Sequence, residues 1–87
     1  MAMLSEIQQY TNIISKHFSE AFVSDDKEGM YETSYALTRA YALSGNISLA
    51  GRWANECEKY TEDPSKLFAI NLFLLYGIIK QKYCQKS

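Results

Sequence analysis

The chain has 87 residues, of which 47% are hydrophobic and 22% are charged, and its formal net charge is −1. This composition is typical of one folded domain and excludes a disordered chain, and the near-neutral balance provides no strong field to attract nucleic acid or acidic lipid. The charge is mildly divided, with six acids and three bases in residues 1–44 and four acids and six bases in residues 45–87.

Helical periodicity runs through the whole chain, glycine and proline are scarce, and no segment alternates as a strand does. We therefore predict a single all-α domain over residues 1–87. The first helix is predicted over residues 4–22, and Ser5 with Gln8 fits a capping box at its start. Its apolar face consists of Ile7, Tyr10, Ile14, Phe18 and Phe22, widened by Ile13 and Ala21.

The second helix is predicted over residues 27–44, after a break at residues 24–26. Ser24 or Asp25 is expected to cap it, and the acids that follow suit the positive end of the helix dipole. One stripe of the helix consists of Met30, Leu37 and Tyr41, and an adjacent stripe consists of Tyr31, Tyr35 and Thr38.

Gly45 and Asn46 separate the second helix from the third, which is predicted over residues 47–60. Gly45 is expected to take a positive φ, and Asn46 to cap the next helix. So short a connection makes the two helices antiparallel neighbours. The inner face of the third helix is predicted as Ala50, Trp53, Ala54, Cys57 and Tyr60, with Trp53 largely buried against the second or fourth helix.

The fourth helix is predicted to begin at Pro64, with Asp63 as its cap, and to end near residue 83. Within residues 67–79 only Asn71 and Gly77 are not apolar. Such a helix has no obvious solvent face, and a chain this short has little core in which to bury all of its sides. The pattern therefore predicts that a partner chain covers part of this helix.

The predicted partner-binding residues of the fourth helix are Phe68, Ile70, Phe73, Leu74, Tyr76 and Ile78. Some of them are expected to be exposed in the monomer. Phe68, Leu72, Leu75 and Ile79 share one side of the helix, and the remaining apolar residues lie elsewhere around it. The alternative is a central fourth helix ringed by the other three, with Asn71 hydrogen-bonded internally.

The pair formed by the second and third helices has the spacing of a tetratricopeptide repeat. Large residues on one helix would pack on small residues of the next, with glycine at the tight corner. The matching positions are Leu37, Tyr41, Gly45, Ala50, Ala54 and Cys57, and the departures are Ser34, Thr38 and Ala54, where the repeat prefers Trp, Gly and a large aromatic. We predict a four-helix TPR-like array, with a small bundle built on an ordinary helical hairpin as the alternative.

Over residues 33–79 the chain resembles the small tetratricopeptide-like chaperones of the needle subunit in bacterial type III secretion. The resemblance lies in the hairpin of residues 37–50 and in the segment Pro64-Ser65-Lys66-Leu67-Phe68-Ala69-Ile70. In that family the helices form a concave groove that shields an amphipathic helix of the needle protein, often with a second small helical cochaperone. The resemblance implies that the apolar fourth helix faces a client or a cochaperone.

The side chains that carry chemistry do not form a catalytic set. His17 is the only histidine, and Glu20, three residues on, is the one acid near it. The acids Asp25, Asp26 and Glu28 lack the spacing of a calcium loop, and no glycine-rich phosphate loop is present. We expect no enzymatic activity, no cofactor and no metal site.

The cysteines and the N-terminal segment favour a soluble cytoplasmic protein. Cys57 and Cys84 lack the C-x-x-C spacing of redox and zinc sites, so we expect free thiols in a reducing compartment. A Cys57–Cys84 bridge is the alternative if the last two helices are antiparallel. Glu6 and Gln8 stand where a signal peptide has its apolar core, and the 13-residue apolar run is shorter than the roughly 20 residues that span a bilayer.

The hypothesis that these patterns favour is a protein-binding adaptor, most concretely a cytoplasmic chaperone that shields an apolar helix of a secreted or assembling partner. The seven tyrosines suit an interface, since each combines a large apolar area with a polar end. Two alternatives stay open. One is a self-associating structural subunit, and the other is a small regulator acting on nucleic acid, which the third helix disfavours because Arg52 and Lys59 are balanced there by Glu56 and Glu58.

Overall fold

The computed structural model describes the backbone of residues 2–84 and the side chains of residues 6–83. Over this range the chain forms four α-helices and no strand: α1 (Ala2–Val23), α2 (Lys27–Leu43), α3 (Ile47–Glu58) and α4 (Pro64–Cys84). The predicted all-α class is confirmed, and every predicted helix end lies within two residues of the observed one. Since α1 begins at Ala2, Ser5 lies inside the helix and the predicted capping box at Ser5 is wrong.

The four helices pack as an open array in which α2 is central. α2 contacts α1, α3 and α4, and α3 also contacts α4. Within the described residues α1 and α4 do not contact each other, and the array measures 44 × 30 × 15 Å. The alternative in which the other three helices ring α4 is therefore wrong. No helix in the described range is long and apolar enough to cross a membrane.

The core consists mainly of small residues on the facing sides of α2 and α3. The buried apolar residues are Ala21, Met30, Leu37, Ala42, Ala50, Ala54, Cys57 and Ile70. Ser34 and Thr38 are also fully buried. Their hydroxyls donate to carbonyl oxygens of their own helix, Ser34 Oγ to Met30 at 2.6 Å and Thr38 Oγ1 to Ser34 at 2.9 Å. With their polar atoms satisfied locally, these two residues behave as small residues and let α3 and α4 lie close to α2.

The corner between α2 and α3 is a Schellman motif. Gly45 has a φ of 83°, which confirms the predicted left-handed conformation. The amide of Asn46 donates to the carbonyl of Tyr41 at 2.9 Å, and the amide of Gly45 donates to Ala42 at 3.0 Å. These are the two bonds that define the motif. The Asn46 side chain then accepts from the amide of Leu49 at 3.3 Å, so Asn46 caps α3 as predicted.

The corner between α1 and α2 is also a Schellman motif, but its left-handed residue is not a glycine. Asp25 takes the left-handed position with a φ of 56°, and the amide of Asp26 donates to the carbonyl of Ala21 at 2.9 Å. The Asp26 carboxylate accepts from the amide of Gly29 at 3.0 Å, so Asp26 is the cap of α2. The expectation that Ser24 or Asp25 caps α2 is wrong, because the end of α1 uses both residues.

The apolar face of α1 is only partly covered, because α2 is the only helix whose backbone lies beside it in the described range. Thr11 and Ala21 are buried, and the Thr11 hydroxyl donates to the carbonyl of Gln8 at 3.0 Å. Three residues of the predicted face, Tyr10, Ile13 and Phe22, are 48–62% exposed. Periodicity placed these residues on the side of α1 that faces α2. However, α2 covers a narrower strip of α1 than the apolar pattern of the sequence suggests.

Trp53 is half-buried, and its aromatic neighbour is Phe18 of α1. The ring centroids of Phe18 and Trp53 are 5.0 Å apart in an edge-to-face arrangement, and those of Phe18 and Tyr60 are 6.4 Å apart. Trp53 is thus partly buried, and its edge-to-face contact with α1 is one that the sequence pattern did not predict. The long Phe18 side chain reaches past α2 to α3, although the backbones of α1 and α3 are too far apart to be in contact.

Candidate partner-binding face

The outer surface of α4 carries a continuous apolar stripe that no other helix covers. We call it the α4 stripe; it consists of Phe68, Leu72, Leu75, Tyr76, Ile79 and Tyr83, which are 46–68% exposed. Leu75 and Tyr76 are adjacent, and every other step along the stripe is three or four residues, so the six residues share one face. From first to last the stripe is about 22 Å long, at a helical rise of about 1.5 Å per residue.

The opposite side of α4 is its docking side. Ile70 is fully buried in a cluster with Ala54 and Cys57 of α3. Two turns further along the same face, Gly77 is buried where α4 crosses α2. A Cβ atom at Gly77 would lie 3.3 Å from both the Cα and the Cβ of Ala42 and 3.2 Å from Cδ1 of Ile47. The close approach at Gly77 and the insertion of Ile70 together determine which side of α4 faces outward.

The six predicted partner-binding residues divide into three groups. Phe68, Tyr76 and Ile78 are exposed. Phe73 is half-buried against Tyr35 of α2, and Leu74 is half-buried against the cluster of Ala54, Cys57 and Ile70. Ile70 is fully buried, so its assignment to the partner-binding set is wrong. Asn71 is exposed, so the alternative in which it is bonded internally is wrong as well.

Four residues of the stripe were absent from the predicted set: Leu72, Leu75, Ile79 and Tyr83. Periodicity correctly placed Phe68, Leu72, Leu75 and Ile79 on one side of the helix, yet the prediction drew its residues mainly from the other sides. A signal was present in the sequence. Gly77 follows Ile70 by seven residues, and a glycine that shares a face with a large apolar residue marks the side where another helix approaches closely.

An aromatic and cationic cluster fixes α4 against α2. Tyr31 and Tyr35 are stacked with ring centroids 5.8 Å apart, and Phe73 meets the Tyr35 ring edge-on at 6.0 Å. Lys66 Nζ lies 4.7 Å from the centre of the Tyr31 ring, and Arg39 Cζ lies 5.6 Å from that of Phe73. Each cation–ring contact contributes about 0.5–1 kcal/mol at such exposed sites. These tyrosines therefore belong to an internal contact, whereas Tyr76 and Tyr83 remain on the surface.

The C-terminal part of the chain that contains the stripe is positively charged. Residues 64–87 contain four lysines and no acid, so all ten acids of the chain lie in residues 1–63 with the other five bases. Lys80 Nζ donates to the carbonyl oxygen of Leu43 at the end of α2, and Lys82 is exposed. The stripe is thus an apolar surface in a cationic segment.

The outer surface of α1, at the other end of the array, is mainly polar. Its exposed positions include Gln9, Asn12, Lys16 and Glu20, and the exposed apolar residues Ile13 and Val23 lie among them. Between α1 and α2 lies a shallow apolar groove of about 440 Å³, with Tyr10 on one wall and Arg39 and Leu43 on the other. Over residues 6–23, neither surface of α1 has a continuous apolar stripe comparable to that of α4.

The titratable side chains take part in local contacts. His17 Nδ1 lies 3.2 Å from Glu20 Oε1 on the exposed side of α1, and no three His, Cys, Asp or Glu side chains of the described range converge. Cys57 is a free, fully buried thiol whose Sγ donates to the carbonyl of Tyr31 at 3.7 Å, and burial raises its pKa. The proposed Cys57–Cys84 bridge concerns a second side chain, that of Cys84, which lies outside the described side chains.

No known protein offers a comparison for this surface. The chain matches no protein-family model, and no curated protein or solved structure is significantly similar to it.

Proposed function

We propose that this chain is a helical protein-binding module in which the α4 stripe receives an amphipathic helix of a partner protein. The observation that carries the proposal is the difference between the two ends of the array. α1 presents a mainly polar outer surface, whereas α4 presents an apolar one. Terminal units of helical arrays need a polar outer face to remain soluble. The outer face of α4 is not polar in this way, and a helix of a partner protein packed on it would cover its apolar residues.

The size of the stripe supports this assignment. Six large side chains that are about half exposed amount to roughly 600 Å², taking about 200 Å² for each fully exposed side chain. The largest apolar patch on a typical monomer covers about 300–600 Å² and is often functional. The spacing of the stripe is that of the anchors by which amphipathic helices pack on one another.

The role we propose is that of a cytoplasmic chaperone that shields the apolar helix of a secreted or assembling protein and performs no catalysis. The resemblance of residues 33–79 to type III secretion needle chaperones supports this role, and it makes the partner a client helix or a small helical cochaperone. The nucleic-acid alternative has less support. Arg39 lies over the rings of Tyr35 and Phe73, and Lys59 pairs with Glu56 at 3.2 Å.

The experiment is a titration with a fluorescently labelled, designed amphipathic helix that carries one leucine seam. Wild-type protein should bind the peptide saturably, and Leu72→Glu should weaken binding at least tenfold because it places a charge in the middle of the stripe. The matched control is Ile13→Glu, an equally exposed apolar residue on α1, which should bind as the wild type does.

Two results would contradict the proposal. Strictly monomeric protein in light scattering, together with no binding of the peptide, would leave the stripe without a binding role. A homodimer that Leu72→Glu dissociates and the peptide does not would favour the structural-subunit alternative.

A further inference from the structure

We infer that the helix received by the α4 stripe carries acidic residues along both edges of its apolar seam, and that Lys80 and Lys82 select it. This inference rests on the proposed function, because it specifies the chemistry of the partner at the same surface. It starts from the fact that residues 64–87 contain no acid. No carboxylate of α4 itself can neutralise the lysines beside the stripe.

The two lysines lie on opposite edges of the stripe. Lys80 follows Tyr76 by four residues, and Lys82 follows Leu75 by seven, so each extends one edge at the C-terminal half of the helix. Lys80 is held by the carbonyl of Leu43, a contact that leaves its charge in place. Lys82 is exposed, and no hydrogen bond or ion pair involves it within the described range. A helix lying on the stripe therefore meets a cation on each side.

A second copy of this chain does not provide the complementary charges through its own α4. In an antiparallel pairing of two α4 stripes, Lys80 would oppose Asn71 and Lys82 would oppose Ala69, and a parallel pairing would bring like charges together. Two stripes would bury on the order of 1,200 Å² in total, the lower limit for a stable interface. The acids of residues 1–63 in a second copy lack an apolar seam of matching length, because the outer surface of α1 is mainly polar. The charges therefore favour a different protein as the occupant.

The size of the expected effect follows from exposed ion pairs. One such pair changes affinity by a few-fold at low salt, so a helix with acids along both edges should bind about tenfold more tightly than one with lysines at the same positions. Salt screens these pairs, so the difference should shrink at about 0.5 M ionic strength while the apolar contact persists.

The test uses two labelled helical peptides with the same leucine seam, one flanked by glutamates and one by lysines, titrated into the whole protein in low and high salt. The glutamate peptide should bind about tenfold more tightly at low salt. Lys82→Glu should remove or reverse this preference. Lys16→Glu, the same change on the outer surface of α1, should keep it. Lys80 is left unchanged because it also holds the end of α2.

The outcomes separate this inference from the proposed function. Equal binding of both peptides, unaffected by Lys82→Glu, would overturn the charge selection and leave the binding module intact. Binding of neither peptide would overturn both. A dimer that neither peptide dissociates would also overturn both, and it would assign the stripe to a second copy. Circular dichroism of each variant establishes that the helices are retained.

Discussion

At the scale of single residues, the two corners of the array both end a helix with a left-handed residue, but the residue types differ. Gly45 and Asp25 both take the left-handed conformation that ends a helix, with φ values of 83° and 56°. Glycine adopts it without strain, whereas an L-residue pays roughly 1 kcal/mol, somewhat less for aspartate. A Cβ at Gly45 would have only Lys80 Cγ near it, at 4.0 Å. The requirement for glycine there is therefore conformational rather than steric.

Gly45→Ala should lower the free energy of unfolding by about 1 kcal/mol, because alanine resists positive φ. Gly51→Ala is the matched control, since Gly51 is inside α3 and a Cβ there would meet nothing within 4 Å. That substitution should raise stability by about 0.5–1 kcal/mol through helix propensity. Urea denaturation measures the free energy of unfolding of both variants. If both changes had the same sign, the conformational requirement for glycine at position 45 would be contradicted.

A second residue-scale effect concerns pH. The Tyr60 hydroxyl donates to Glu56 Oε2 at 2.6 Å, and burial together with this carboxylate raises the pKa of Tyr60 to about 12. The hydrogen bond from Tyr60 also lowers the pKa of Glu56 below its ordinary value.

Between pH 10 and about 12 the folded protein keeps the Tyr60 proton that the unfolded chain has lost, so stability should fall as the pH rises through this window. For Glu56 the sign is opposite: stability should fall as the pH drops through the ordinary carboxylate range. Tyr60→Phe should remove the alkaline fall that Tyr60 causes and weaken the acidic one. Denaturation at several pH values compares the two proteins, and identical profiles would refute the contribution of this hydrogen bond.

At the scale of helices, α4 shows what the sequence can predict and what it cannot. The sequence predicted the bounds of α4 and its excess of apolar residues. It also predicted the cap at Asp63, whose carboxylate accepts from the amide of Ser65 at 2.9 Å. These features were predictable because capping chemistry and periodicity are local. The side that faces solvent was not, because it depends on contacts with residues distant in sequence. Ile70 enters the cluster of Ala54 and Cys57, and Gly77 lies against Ala42.

The same distinction explains the other differences. The burial of Ser34 and Thr38 follows from the central position of α2, which no single helix pattern reveals. The contact of Trp53 with Phe18 joins two helices whose backbones do not touch. For the candidate site, the sequence singled out α4, and three of the residues it named there are exposed. The stripe as a whole could not be predicted, because it depends on which side of α4 packs against α2 and α3.

Gly77→Leu should destabilise the protein by about 1–3 kcal/mol, because the added side chain would collide with the backbone of α2 at Ala42. Leu72→Ala changes a residue that is 52% exposed on the opposite side and should cost less than about 1 kcal/mol. Chemical denaturation compares the two. If Leu72→Ala were the more damaging change, the orientation of α4 described here would be incorrect.

At the scale of the whole molecule, the array is held together by α2, and its two outer helices are supported unequally. α1 has backbone contacts with α2 alone and reaches α3 through the Phe18 side chain, whereas the backbone of α4 contacts both α2 and α3. Local opening requires less free energy where fewer buried contacts are lost. α1 should therefore be the first helix to detach, and its detachment should separate Phe18 from Trp53.

Hydrogen exchange should show the amides of α1 exchanging faster than those of α2, with α3 and α4 in between. Binding of a helix to the α4 stripe should slow exchange in α4 far more than in α1, because α1 lies at the other end of the array. Protection that appears first in α1 would place the partner in the groove beside Tyr10 and Leu43 instead.

Because Cys57 is buried, the rate at which its thiol is alkylated reports how often the helices around it open. The thiol is enclosed between α2 and α3 beside Ile70, so an alkylating reagent reaches it only in moments when these helices separate. In a Cys84→Ser variant, the alkylation rate divided by that of an unprotected thiol gives the fraction of time the site is open. A partner that presses α4 onto α3 should lower the alkylation rate of Cys57 without contacting the sulfur. The alkylation rate would then record occupancy of the stripe from inside the protein.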